Sequence, residues 1–158
     1  MAISASRTHL PLLAFVWALS VVCLGLSAHI IAKSNEFPVS QYHAVLIQCV
    51  FCWAWNSFFL LILIIGNAVA PRSVFFGAAV TFLLLFIGWL QSIVAAGSWT
   101  SIERTYGYLD LEKEKKALEG LQWVTTVFLL VDTVWAGLSY ISNQATEVVP
   151  KKEEEVHF

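Results

Sequence analysis

Asp132 is the residue whose type and position most suggest chemistry. It is a single carboxylate inside the apolar run Leu121 to Ile141. A carboxylate near a bilayer centre costs at least about 2.5–3.5 kcal/mol on insertion scales, so we expect it to have a structural or functional role. Three roles are open: a hydrogen bond to Asn56 that joins two helices, a docking point for a partner's helix, and proton or ion handling. A lone aspartate cannot form a two-carboxylate site, which disfavours intramembrane aspartyl proteolysis.

His29 and His43 form a second candidate pair. They stand at the end of one apolar run and the beginning of the next, on what we expect to be the same face. Two histidines from adjacent helices can ligate a haem or a metal ion, which would indicate an electron-transfer subunit. The competing interpretation places both rings in the hydrated headgroup zone without a ligand. Apart from this pair, the sequence predicts no cofactor.

The cysteines Cys23, Cys49 and Cys52 all lie within apolar runs. Cys49-x-x-Cys52 has the spacing of a redox or zinc motif, but a zinc site needs further ligands and a polar surround. The sequence offers neither nearby, so we expect these thiols to be ordinary core residues.

The composition places these residues in a membrane protein. The chain has 158 residues, of which 58% are hydrophobic and 13% charged, and its mean hydropathy is +0.73. Soluble domains have about 45–50% apolar and about 25% charged residues, so this chain has too little polar surface to cover a water-soluble globule. With 9 basic and 11 acidic residues the net charge is -2, which argues against a nucleic-acid partner.

Four apolar runs are long enough to cross a hydrocarbon core of about 30 Å. They cover residues 10–31, 43–66, 74–97 and 121–141. A membrane-spanning backbone must satisfy its own hydrogen bonds, so we expect helices. The first run is longer than the apolar core of a signal peptide and is expected to be retained. The sequence thus predicts a short tail at 1–9, a four-span domain at 10–141 and a polar tail at 142–158.

The connections predict how the helices are arranged. The link Asn67 to Ser73, with Pro71 as a helix stop, predicts a tight hairpin between antiparallel helices. The loop from Ser98 to Gly120 is the longest. Within it, Thr100 and Glu103 have capping-box spacing, and Glu112 and Lys116 can pair at i,i+4. We therefore predict an all-α, antiparallel four-helix bundle with a short helix outside the membrane between helices 3 and 4.

Polar residues recur on one face of each run. In a membrane bundle such residues face neighbouring helices rather than lipid. Counting residues from the centre of each span predicts two polar layers. Ser20, Asn56 and Asp132 fall near mid-membrane, and Ser27, Gln48, Gln91 and Thr125 fall nearer the long loop. Six of these residues are our candidates for interhelical or partner contacts: Asp132, Asn56, Gln48, Gln91, Ser20 and Thr125.

Two segments resemble a known family. The first is Arg7-x-His9 followed by Ser20-Val-Val-Cys-Leu-Gly-Leu-Ser-Ala28, and the second is the run Gly88-Trp-Leu-Gln-Ser-Ile-Val-Ala-Ala96. Both resemble the MARVEL-domain tetraspan proteins, especially the small fungal members. The resemblance covers roughly residues 7 to 141. Sequence signatures of claudin-like proteins and of tetraspanins are absent.

The distribution of Lys and Arg does not predict the orientation in the membrane. Four of these residues lie on the side of the termini and five on the opposite side, so their count leaves the orientation open.

The resemblance implies a function without catalysis. Family members organise membrane subdomains, often rich in sterol, or assist vesicle traffic, and their termini are cytosolic. It also implies a plasma-membrane or endomembrane location and contacts with the lipid bilayer, with sterol, and with other membrane proteins or further copies of the chain. One alternative is an accessory subunit of a larger membrane enzyme or transporter. The haem-binding electron-transfer subunit is the other.

Overall fold

The computed structural model describes residues 5–33, 40–69, 78–106 and 112–154, and all of these are helical. The helices are α1 (Ala5–Lys33), α2 (Ser40–Val69), α3 (Ala78–Tyr106) and α4 (Glu112–Glu154). No strand occurs within these four ranges. The predicted all-α class is therefore confirmed.

Each helix contains a segment long and apolar enough to cross a membrane. These segments are Leu10–Lys33, Tyr42–Val69, Ala79–Ile102 and Glu112–Ser142. The shortest have 24 residues, which at about 1.5 Å per residue exceeds the hydrocarbon thickness. The predicted span at 74–97 begins in residues 74–77, which lie outside the described residues, as does Pro71 in the predicted hairpin.

The helices form a ring in which each packs against its neighbours in sequence, and α1 also packs against α4. The pairs are antiparallel. Between α2 and α3, Tyr42 contacts Trp99 and Asn56 contacts Gly88, so residue numbers rise along one helix as they fall along the other. Alternation of this kind places the beginning of α1 and the end of α4 at the same end of the bundle.

The buried side of every helix follows a heptad pattern. Buried residues recur at alternating spacings of three and four, which is the packing pattern of left-handed helical bundles. The positions are Leu13, Val16, Ser20, Cys23, Ser27 and Ile30 in α1; Tyr42, Leu46, Cys49, Trp53, Asn56, Leu60 and Leu63 in α2; Leu85, Gly88, Ser92, Ala95, Trp99 and Ile102 in α3; and Lys115, Leu118, Gln122, Thr125, Leu129, Asp132 and Ala136 in α4.

Two apolar clusters make up most of this core. The loop-end cluster contains Cys23, Ile30, Tyr42, Leu46, Cys49, Cys52, Trp53, Ala95, Trp99, Ile102 and Leu118. The termini-end cluster contains Leu13, Val16, Leu60, Leu63, Leu85, Leu129 and Ala136. Between them, buried Ser20, Asn56, Gly88, Ser92 and Thr125 interrupt the apolar packing. We call these five residues the central polar layer.

The outer faces of the helices carry large apolar side chains that are exposed in the isolated chain. Phe58 of α2, Val94 of α3, and Val127 and Leu138 of α4 are each more than half exposed. An exposed apolar surface of this extent would be unfavourable in water but suits acyl chains. The bundle therefore has polar residues along its interior and apolar residues on its outer surface, as expected for an integral membrane protein.

The loop segment before the last span departs from expectation. Residues 112–120 are helical, but they form the first turns of α4 rather than a separate short helix. Lys116 donates to Glu112 as its i,i+4 spacing predicts. The predicted capping box at Thr100 is wrong, because Thr100 lies inside α3, which continues to Tyr106. The predicted polar tail from 142 is helical as far as Glu154, and residues 155–158 lie outside the described residues.

Candidate functional site: the polar interior of the bundle

Asn56 makes a polar contact between α2 and α3. Its Nδ2 donates to the backbone carbonyl of Gly88 at 3.4 Å. A Cβ at position 88 would lie 2.7 Å from Asn56 Oδ1, so a larger residue there would push the amide out of its present position. The side chain of Asn56 is only 2% exposed. The amide therefore occupies the space of a side chain at position 88 and links α2 to the backbone of α3.

Asp132 of α4 is fully buried, with no exposed surface. Along α4 it lies between Leu129 and Ala136, which both belong to the termini-end cluster. The Asn56 amide, which the sequence analysis pairs with Asp132, donates to the Gly88 carbonyl. A side chain enclosed by its own bundle is better placed for an interior role than for contact with a partner's helix.

The hydroxyl groups of the central polar layer bond mainly within their own helices. Ser20 donates to the Val16 carbonyl at 2.9 Å, and Thr125 donates to the Leu121 carbonyl at 2.7 Å. Bonding to the preceding turn lets a small polar residue face a neighbouring helix without an unsatisfied hydroxyl. Thr125 also contacts the Cys23 Sγ at 3.7 Å and so links α4 to α1.

The two glutamines predicted for the interior lie at the edge of the packed faces. Gln48 and Gln91 are each partly buried, whereas Gln122 is fully buried. Gln122 was not among the predicted site residues, although it stands at the beginning of the predicted span 121–141. The heptad that runs back from Ala136 through Leu129 reaches Gln122 and then Lys115, and that spacing is the signal that would have identified both.

The cysteines are buried and free, and no disulfide joins them. Cys49 Sγ donates to the Ala95 carbonyl at 3.7 Å, which adds a second polar contact between α2 and α3. Over the four described ranges, no group of three or more potential metal ligands occurs. His29 is exposed and His43 is partly buried.

Lys115 is the largest departure from the sequence-based picture, which placed the charged segment of the loop in solvent. Its side chain is 2% exposed, and its Nζ lies 5.0 Å from the centre of the Tyr42 ring. Tyr42 in turn packs against Trp99 with ring centres 5.6 Å apart. The first turns of α4 therefore close the loop end of the core through a cation–π contact.

A chain of hydrogen bonds joins α3 to α4 beside this contact. Thr100 Oγ1 donates to Glu119 Oε1 at 2.8 Å and accepts from Trp123 Nε1 at 3.1 Å. Trp123 is 41% exposed, as is usual for an indole near the membrane–water interface. One threonine hydroxyl thus fixes the height of α3 relative to α4.

The chain matches no protein-family model and has no significant match among curated proteins or solved structures.

Proposed function

We propose that the protein is a non-enzymatic membrane organiser that assembles laterally and assists the sorting or traffic of membrane proteins. The observation that carries this proposal is how the residues of the chain are divided between membrane-length helices and the connections between them. Four membrane-length helices account for most of its 158 residues, and ranges 34–39, 70–77 and 107–111 connect them. Such a chain offers its surroundings an apolar outer surface in the bilayer, so its contacts are with lipid and with other membrane helices.

The positions of the MARVEL-like segments support the same proposal. Within 20–28, Ser20, Cys23 and Ser27 are buried; within 88–96, Gly88 and Ser92 are buried. Part of each segment that carries the resemblance therefore lies on the packed face of its helix, whereas Gly25 and Ala28 are exposed. From that resemblance we also propose cytosolic termini, a plasma-membrane or endomembrane location, and contact with sterol-rich lipid.

The test is lateral assembly at native expression level. Copies of the chain carrying donor and acceptor fluorophores are followed in living membranes by energy transfer and single-particle tracking. The proposal predicts energy transfer above that of a monomeric tetraspan control, together with confined diffusion. Free diffusion without excess energy transfer would contradict it.

An accessory subunit of a larger membrane complex is the second candidate, favoured by exposed aromatic residues on α2. The ring centres of Phe51 and Trp55 are 6.1 Å apart, and those of Trp55 and Phe59 are 4.4 Å apart. Phe51 is 60% exposed and Phe58 is 59% exposed. Aromatic side chains present large, rigid contact areas that a partner's transmembrane helix can use.

Copurification in gentle detergent separates the two candidates. One stoichiometric partner, lost in a Phe51→Leu and Phe58→Leu double variant, supports the subunit function. The matched control is Val127→Leu with Val134→Leu, which changes exposed residues of α4 instead. Recovery of further copies of the chain without a stoichiometric partner supports the organiser.

A further inference from the structure

Three fully buried side chains in the loop-end half of the core keep polar atoms that form no hydrogen bond among the described residues. They are Gln122, through both Oε1 and Nε2, and the indole Nε1 atoms of Trp53 and Trp99. All three residues have no exposed surface. Within a membrane each unsatisfied polar group costs several kcal/mol, because lipid supplies neither donors nor acceptors.

These residues belong to one region. Gln122 lies against the Cys49 side chain, and Cys49 packs in the loop-end cluster together with Trp53 and Trp99. The Cys49 thiol donates to the Ala95 carbonyl, so its proton is already used. What remains for Gln122 is a sulfur atom, which is a weak acceptor and cannot donate to the Gln122 oxygen.

The chemistry of the unsatisfied atoms defines what can satisfy them. The Gln122 oxygen needs a donor, whereas the indole groups of Trp53 and Trp99 need an acceptor. A cation supplies no acceptor for the N–H groups, and an anion supplies no donor for the amide oxygen. Water does both with one heavy atom, and buried water typically makes about two to four such bonds.

We infer that the loop-end half of the bundle core binds internal water at Gln122, beside the cluster that contains Cys49, Trp53 and Trp99. The termini-end cluster itself consists of aliphatic side chains such as Leu13, Leu60 and Leu63. The inference does not depend on the proposed function.

The test is magnetisation transfer from water to the indole protons of the full-length protein, labelled with ¹⁵N-tryptophan in lipid nanodiscs. Tryptophan signals are assigned with single Trp→Phe variants. We expect a cross-peak to long-lived water at the indole proton of Trp53 or Trp99. Because both indoles are fully buried, bulk water cannot produce it.

Two variants show whether Gln122 holds the water. Gln122→Leu removes both amide groups and is expected to abolish the cross-peak. Thr133→Val is the matched control, since Thr133 is buried in the same helix but its hydroxyl already donates to the Leu129 carbonyl. Absence of the cross-peak from the wild-type protein, or its persistence at full intensity in a folded Gln122→Leu variant, overturns the inference. The wild-type spectrum decides the first point even if the variant does not fold.

Discussion

The side-chain amide of Asn56 lies in the space beside Gly88 that a side chain at position 88 would occupy. The Asn56 Nδ2 donates to the Gly88 carbonyl at 3.4 Å, while its Oδ1 occupies space that a Cβ at position 88 would enter at 2.7 Å. The hydrogen bond holds the amide in place, so the amide cannot move aside without losing it. A side chain at position 88 would therefore have to displace the Asn56 amide.

The first prediction concerns Gly88→Ala. The new methyl group would overlap the Asn56 oxygen, and overpacking of this kind lowers the free energy of unfolding by about 1–3 kcal/mol. We expect a decrease in that range, measured by denaturant titration in mixed micelles. Gly25→Ala is the matched control because a Cβ there meets nothing within 4 Å. It should leave stability unchanged or raise it, and an equal loss in both variants would contradict the fit.

A double-mutant cycle tests the same pair more closely. Asn56→Ala alone should cost about 0.6–1.7 kcal/mol, the range of polar contacts between membrane helices. It also removes the oxygen that blocks position 88. The combined Asn56→Ala and Gly88→Ala variant should therefore lose less stability than the sum of the two single variants. Strict additivity would show that the two residues do not interact.

Thr100 should control how α3 and α4 are held at the loop end. Thr100→Val removes both the bond to Glu119 and the bond from Trp123. We expect the free energy of unfolding to fall by up to about 0.5–1.5 kcal/mol for each bond removed, together with a shift in Trp123 fluorescence. Thr100→Ser keeps the hydroxyl and should resemble the wild type. A Thr100→Val protein with unaltered Trp123 emission would rule out the hydrogen-bond chain.

Lys115 should contribute to stability although it is a lysine beside the bilayer. Its contact with the Tyr42 ring is buried, and desolvated cation–π pairs contribute about 2 kcal/mol. Lys115→Met should therefore lower the free energy of unfolding, whereas the exposed neighbour Lys113→Met should have no effect. Tyr42→Phe keeps a ring and should be milder than Tyr42→Leu. Equal effects of the two lysine variants would contradict the burial of Lys115.

Substitution of Asp132 tests whether this residue stabilises the interior of the bundle or docks a partner's helix. Because the side chain is fully buried and leucine is larger, Asp132→Leu should overpack its site and destabilise the isolated protein by about 1–3 kcal/mol. Asp132→Asn keeps the size and polarity and should be milder. Thermal unfolding of the purified chain measures this. An isolated protein of unchanged stability that no longer copurifies with a partner would instead assign Asp132 to docking.

The number of helices and the apolar exterior could be predicted because they follow from local properties of the sequence. A run of about 20 apolar residues must be helical in lipid whatever its neighbours are. The precise inner face was harder to predict. Stepping by four residues advances about 40° beyond a full turn, so Gln48 lies about 80° from Asn56 around α2. Cys49, seven residues before Asn56, stays on the packed face and is buried.

The loop end could not be predicted from hydropathy because its contacts join charged and aromatic residues that are distant in sequence. Lys115 is buried against Tyr42, which lies in α2, and Thr100 meets Trp123 because α3 continues past residue 97, where the predicted span ended. A charged segment scores as solvent-exposed when each residue is judged alone. The heptad that places Lys115 seven residues before Gln122 was visible in the sequence but fell outside the predicted span.

The central claim, a bundle with these helix faces buried and lipid outside, is tested most directly by fluorescence quenching with brominated lipids. Trp53 and Trp55 are two residues apart, so they lie at nearly the same depth, yet Trp53 has no exposed surface and Trp55 is 39% exposed. In single-tryptophan variants, the account predicts strong quenching of Trp55 and weak quenching of Trp53. Equal quenching of both, or stronger quenching of Trp53, would contradict the account.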